Sequence, residues 1–201
     1  MSFLKLLAAT AAASALAASA FAQAPPALDL TLRPHQTAGQ VDFVDVTLTL
    51  AAPNARPGEN FLRLPMVFAS VETARYEAKD IQVIDAQGAV PLIQKDDPID
   101  KANFMYFRRW QVGRPTSGDV TIRYKAPARA FRPKLGSGPP FDLRPEGGGL
   151  NGAGVTFLAL PDTSKPFSLH LAWDLAAMPA GSRGAQSLGE GELRMTGPID
   201  L

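Results

Sequence analysis

Residues 44–50 alternate without exception: Val44, Val46, Leu48 and Leu50 are apolar, and Asp45, Thr47 and Thr49 between them are polar. Successive side chains of a strand point to opposite faces, whereas a helix gathers its apolar residues three or four apart. The segment is therefore a strand with one face in a core and one in water. The same period of two returns in 119–124, where Val120, Ile122 and Tyr124 face inward, and in 168–175, where Leu169, Leu171, Trp173 and Leu175 do. Less regular apolar runs at 28–32, 61–64, 81–84, 90–93, 104–112 and 155–160 fit shorter strands. Asp85-Ala86-Gln87-Gly88 joins two of them as a tight hairpin, with Gly88 free to take the positive φ such turns need. With 18 Pro and 17 Gly punctuating the chain and no sustained 3.6-residue stripe, the expected fold is all-β, a predominantly antiparallel β-sandwich. The one short stretch with helical character is 71–79, and Tyr124 and Trp173 are aromatic residues expected in the core.

One segment breaks the strand pattern. Residues 131–154 hold seven Gly and four Pro in 24 positions. Pro lacks the ladder donor and Gly costs backbone entropy, so 130–154 is expected to be a long Gly/Pro-rich loop rather than regular strand. Loops of that length in a compact domain commonly carry function. The candidate substrate- or partner-contact residues are accordingly Glu146, Gly147, Gly148, Gly149, Asn151, Gly152 and Gly154. Backbone free of Cβ atoms can approach an extended peptide and offer it N–H and C=O groups, while Glu146 and Asn151 suit hydrogen bonds to an amino terminus or an amide. Gly147, Gly149 and Gly152 also match G-x-G-x-x-G, but a dinucleotide site needs a helix after the glycines, and 155–160 has strand character. A glycine-rich turn is the reading that fits.

The first 22 residues place Lys5 before an apolar, Ala-rich stretch at 6–18 and end in Ser19-Ala20-Phe21-Ala22, the order of a cleavable secretory signal. The apolar run is shorter than the roughly 20 residues that cross a bilayer. Cleavage after Ala22 leaves a chain starting at Gln23, with no membrane attachment and a periplasmic or secreted location expected. Of 20 Lys and Arg against 19 Asp and Glu, losing Lys5 leaves 19 against 19. A nucleic-acid partner calls for a basic excess, so none is expected. The chain has no Cys, so the domain at 23–201 must be stabilised by burial alone, for which its length suffices.

Ionisable residues supply no catalytic or metal-binding set. His35 and His170 are far apart and read as surface histidines, and Asp96, Asp97 and Asp100 lack the spacing of a calcium loop and read as a solvated turn. Arg108 and Arg109 beside Trp110 read as a strand pair with one Arg on each side of the pleat.

The order of segments runs from VDVTLTL through FLRLPMVFA, DIQVIDAQGAVPL, FRRWQV and DVTIRYKA to DLRPEGGGLNGAGVTFLALP and LHLAWDL. It resembles the N-terminal β-domain of glycyl aminopeptidase-type zinc metallopeptidases, metallopeptidase family sixty-one. The resemblance covers nearly all of the chain after residue 22, and LRPEGGGLNGAG and AWDL are its most distinctive parts. It implies an exported bacterial enzyme in which this domain precedes, in cis, a thermolysin-like catalytic domain. There the two His of HExxH and a downstream Glu hold zinc, and the HExxH Glu is the general base. This chain contains no HExxH and only two His, so no catalytic residue is carried over and no cofactor is expected in it; zinc belongs to the implied catalytic domain. The closing residues 197–201 read as a linker entering a further strand.

Two functions are therefore expected. One is a non-catalytic domain of a zinc aminopeptidase that packs on the catalytic module and helps wall its peptide cleft. The other is an independent periplasmic binding or adhesion module that holds a peptide or glycan through the same loop.

Overall fold

The computed structural model describes residues 24–69, 71–99, 106–129 and 141–199. The expected signal peptide at 1–22, Asp100, and 130–140 of the Gly/Pro-rich segment lie outside the described residues.

Nearly all regular structure is strand, as the alternation requires. The larger sheet has seven strands in the order β17 (Leu193–Gly197), β14 (Phe167–Trp173), β1 (Ala27–Thr37), β2 (Gln40–Leu50), β10 (Val120–Pro127), β6 (Gln82–Asp85) and β7 (Gly88–Ala89). A second sheet has four, in the order β13 (Leu160–Pro161), β3 (Asn60–Pro65), β9 (Phe107–Val112) and β8 (Leu92–Asp96). Three two-stranded ribbons complete it: β4 (Val67–Phe68) with β5 (Val71–Glu72), β11 (Arg144–Glu146) with β12 (Gly149–Asn151), and β15 (Ala185–Gln186) with β16 (Gly189–Glu190).

Register converts the sequence pattern into a core. Leu193, Leu171, Leu30, Leu48, Ile122 and Val83 stand opposite one another across six neighbouring strands of the larger sheet. A one-residue slip anywhere in that row would turn its strand's apolar set to solvent, so burial pins the register. Leu62 and Trp110, partners across β3 and β9, are both fully buried, and residues of the two sheets meet in one hydrophobic cluster. Tyr124 lies in that cluster at 5% exposure, as its alternation predicts.

The all-β class is the expected one; several details differ. The pairing of β1 with β14 is parallel, because alternation fixes which face is buried but not strand direction. Residues 71–79 form no α-helix: Thr73 bonds the Pro65 carbonyl through its hydroxyl, and only a short 3-10 turn, Ala78–Asp80, is present. The strand expected at 90–93 is interrupted at Pro91, so that β7 ends at Ala89 and β8 begins at Leu92. The Asp85–Gly88 hairpin forms as expected, with Gly88 at φ 101°.

The strand expected at 155–160 is a 3-10 turn over Gly154–Thr156, with strand confined to Leu160–Pro161. Thr156 Oγ1 donates to Ala153 O at 2.7 Å and the amides of Phe157 and Leu158 both return to Gly154 O, so the backbone closes on itself instead of joining a ladder. The apolar residues here are buried all the same: Ala159 is fully enclosed and its amide donates to the Tyr124 hydroxyl.

Candidate functional site: the groove behind the Gly-rich hairpin

The described part of the Gly-rich segment is a β-hairpin, not a loop. Arg144 pairs with Asn151, Pro145 with Leu150 and Glu146 with Gly149, leaving Gly147 and Gly148 as a two-residue turn at φ 59° and 82°. Positive φ at both central positions is the type I′ geometry, whose twist matches that of the flanking strands. The glycines that argued against a strand thus supply the turn that makes one. Gly152 allows the returning chain to pass against its own start, since a Cβ there would lie 2.7 Å from Leu143 Cα. Gly154 opens the 3-10 turn that follows.

The two polar candidates converge. Asn151 Nδ2 donates to Glu146 Oε2 at 3.0 Å, and Arg144 Nη2 reaches the same oxygen at 3.4 Å. Both Glu146 and Asn151 are exposed, so the carboxylate is positioned by its neighbours while remaining open to solvent. Gln36 on β1 fixes the turn from below, donating from Nε2 to Gly148 O at 3.0 Å.

The hairpin forms one wall of a groove of about 700 Å³. Facing it are Trp173 at the end of β14 and Leu175, Met178 and Pro179 of the segment beyond. Trp173, expected in the core, is only half buried and packs at its margin, because β14 here runs past the part of the sheet that the core covers. Gly184 lies against the indole face, where any Cβ would collide with the ring. The Trp173 Nε1 donor is itself enclosed and has no hydrogen-bond partner among the described residues.

The groove therefore combines an apolar aromatic floor, one open carboxylate with an amide beside it, and glycine backbone at its lip. Arg183, paired with Glu190, also lines the groove, whose carboxylate, amide and backbone groups can hydrogen-bond an extended chain; no nucleophile and base are paired among its described lining residues. Among the described residues no group of three or more His, Cys, Asp or Glu is placed to hold a metal ion. Of the candidate residues, Glu146, Gly147, Gly148, Gly149 and Asn151 line the groove, whereas Gly152 and Gly154 sit behind it in shaping roles. The floor residues Trp173, Leu175, Met178 and Pro179 were not marked as a site by the sequence pattern. The signals were the place of Trp173 at the end of a strand and of AWDL in the family resemblance.

Other polar residues resolve into structural networks. His35 stacks on Phe43 with Nε2 2.6 Å from Asp45, and His170 lies between Asp29 and Glu192. Asp96 and Asp97 are not a solvated turn: Asp96 takes a bidentate bond from Arg108 and Asp97 one from Arg109 across β8 and β9. No helix among the described residues is long and apolar enough to cross a membrane.

No family model and no curated protein matches the chain. Solved structures do. An aminopeptidase N family protein from Idiomarina loihiensis is 18% identical, over 85% of this chain and 27% of that one, with TM-score 0.49. A mutant M1 zinc metallopeptidase from Deinococcus radiodurans bound to a Tyr-Ser-Ala substrate is 17% identical, over 86% and 38%, with TM-score 0.36. A mutant two-domain M1 zinc metallopeptidase bound to L-arginine is 18% identical, over 88% and 39%, with TM-score 0.35. The chain thus spans less than two-fifths of each of these proteins. At such identities and TM-scores nothing about activity, substrate or partner is carried across.

Proposed function

We propose that this chain is the non-catalytic N-terminal β-domain of an exported zinc metallopeptidase of the glycyl aminopeptidase type, and that its groove receives the amino end of a peptide beside the catalytic module. One observation carries the reading. The two most distinctive segments of the sequence resemblance, LRPEGGGLNGAG and AWDL, are remote in sequence yet supply opposite walls of one groove.

The chemistry follows from the side chains present. Glu146 accepts from a peptide ammonium, Asn151 holds that carboxylate in place and offers its own amide, and the first side chain of the peptide lies on Trp173 and Leu175. A charge-assisted bond of this kind is roughly twice as strong as a neutral one. Because the contact is the same before and during bond cleavage, it lowers KM rather than raising kcat.

The test is kinetic. In the peptidase carrying this domain, Glu146→Ala combined with Asn151→Ala should raise KM several-fold for peptides with a free amino end and leave kcat close to wild type. Unchanged constants would reduce the hairpin to a turn. A reading frame that runs on into HExxH is the corresponding genomic expectation.

A further inference from the structure

The Gly-rich hairpin carries a chemistry of its own that needs no ligand. Asn occurs at positions 54, 60, 103 and 151, and only Asn151 is followed by glycine. The side-chain carbonyl carbon of an Asn and the backbone nitrogen of the next residue are tethered closely enough to join in an imide ring, and the next side chain is what obstructs their approach. Gly152 has no side chain to obstruct it. The fold cannot supply one either, since a Cβ on Gly152 would lie 2.7 Å from Leu143 Cα. The close passage of the chain at the base of the hairpin therefore leaves Asn151 beside an unobstructed nitrogen.

Both reacting groups are available. Asn151 is exposed in the last pair of the ribbon, opposite Arg144, and the Gly152 N–H just beyond it makes no hydrogen bond among the described residues. Asn151 Nδ2, the group that must leave, donates at 3.0 Å to Glu146, which lies nearer the turn, so it is drawn toward the tip and away from Gly152. Strands β11 and β12 pair only with each other, and a ribbon of two three-residue strands opens locally more readily than the body of a sheet. Such openings let the Asn151 side chain turn onto the Gly152 nitrogen. Asn54 and Asn60 are exposed as well, but they precede Ala55 and Phe61, whose side chains crowd the same approach.

We propose that Asn151 is a site of self-modification that unfastens the lip of the groove. The Gly152 nitrogen attacks Asn151 Cγ; the new C–N bond forms, the Cγ–Nδ2 bond breaks, and the proton lost from the Gly152 amide departs with Nδ2 as ammonia. Solvent water then opens the imide at either carbonyl. One opening returns the Gly152 N–H and leaves an aspartyl side chain, and the other leaves an isoaspartyl linkage in which the main chain runs through Cβ. Each product undoes an observed contact. The aspartyl form puts a second carboxylate where Glu146 had a donor, and like charges in contact repel. The isoaspartyl form adds a backbone atom to β12 and carries the residue out of its pairing with Arg144. None of this chemistry requires the groove to take a peptide.

The test is peptide mapping by mass spectrometry after the folded chain has aged in mildly alkaline buffer, which promotes loss of the attacking amide's proton. Asn151 should lose its side-chain amide several-fold faster than Asn54 or Asn60 and give both aspartyl and isoaspartyl forms. In heavy-oxygen water both forms should carry the label. Asn151→Gln keeps an amide beside Glu146 but must close a larger ring, and it should stay unmodified under the same conditions. Amide exchange at 147–151 should quicken in the aged chain and in Asn151→Asp, while exchange in β2 and β14 stays as it was. An Asn151 that stays intact in the folded chain, even if it is lost in urea, would overturn the inference, because the hairpin would then shield it. So would an aspartyl product without the isoaspartyl one, the mark of direct hydrolysis. Unchanged exchange at 147–151 in the aged chain would equally overturn it, since the hairpin would then be held as before.

Discussion

Gly184 lies flat against the indole of Trp173, in a space that no Cβ can share. This contact holds the segment beyond β14 against the end of the strand and so sets the width of the groove. Gly184→Ala should force ring and backbone apart at a cost of about 1–3 kcal/mol. Thermal melting and Trp emission read the two consequences, a lower Tm and a more solvated indole. Wild-type values of both would show that the loop yields freely.

The Tyr124 hydroxyl accepts from the Ala159 amide at 2.9 Å, and Tyr76 donates to the Phe157 carbonyl at 2.9 Å, so two tyrosines satisfy a buried segment that has no ladder. Burial pushes both phenols well above their ordinary range and keeps them neutral. Tyr124→Phe leaves the Ala159 N–H enclosed and unsatisfied, which should cost about 1–3 kcal/mol. Urea unfolding measures the loss, and an unchanged midpoint would mean that the segment finds another acceptor.

Acid should destabilise the domain through three carboxylates. The guanidiniums of Arg114, Arg108 and Arg109 hold Asp85, Asp96 and Asp97, respectively, below the ordinary value of 3.8. A lowered folded-state pKa means that the unfolded chain takes up protons first. The contribution is therefore complete above pH 3.8 and is lost as pH falls through the lower folded values. Asp85 also caps two amides, those of Gln87 and Ser117. Urea midpoints should fall as the pH drops below about 4, and the fall should be smaller in Asp85→Asn, which starts from a lower midpoint. A pH-independent midpoint in the wild-type chain would contradict the assignment.

The two tryptophans should behave differently. Trp110 is fully buried between the sheets, and Trp110→Ala should cost about 3–5 kcal/mol. Trp173→Ala, at the margin of the core, should cost clearly less. Equal losses in denaturant titrations would mean that Trp173 belongs to the core after all.

The strands were legible where one face is wet and the other dry. Val44 to Leu50 and Val120 to Tyr124 carry their burial in their alternation, and the structure buries the residues that it marks. Apolar character was misleading where tertiary partners replace the ladder, as at 155–160, whose Phe157 carbonyl and Ala159 amide are held by Tyr76 and Tyr124. Composition misled at Gly147 and Gly148, because glycine weakens the body of a strand but is what an I′ turn selects. The Asp96 and Asp97 pairings with Arg108 and Arg109 depend on the register of β8 against β9, which no single segment reveals. Half of the candidate site was visible as the glycine run. The other wall was not, because an indole at the end of an alternating strand reads as core until the extent of the core is known.

The central claim is that the groove between the Gly-rich hairpin and Trp173 receives the amino end of a peptide. The most direct measurement is a two-dimensional NMR titration of the chain with an uncharged-side-chain tetrapeptide, free or acetylated at its amino end. The account predicts saturable shifts at the Gly147, Gly148 and Asn151 amides and the Trp173 indole with the free peptide. Those shifts should be lost on acetylation and in the Glu146→Ala, Asn151→Ala double variant. Identical shifts with the acetylated peptide, or none at these positions with the free one, would contradict it.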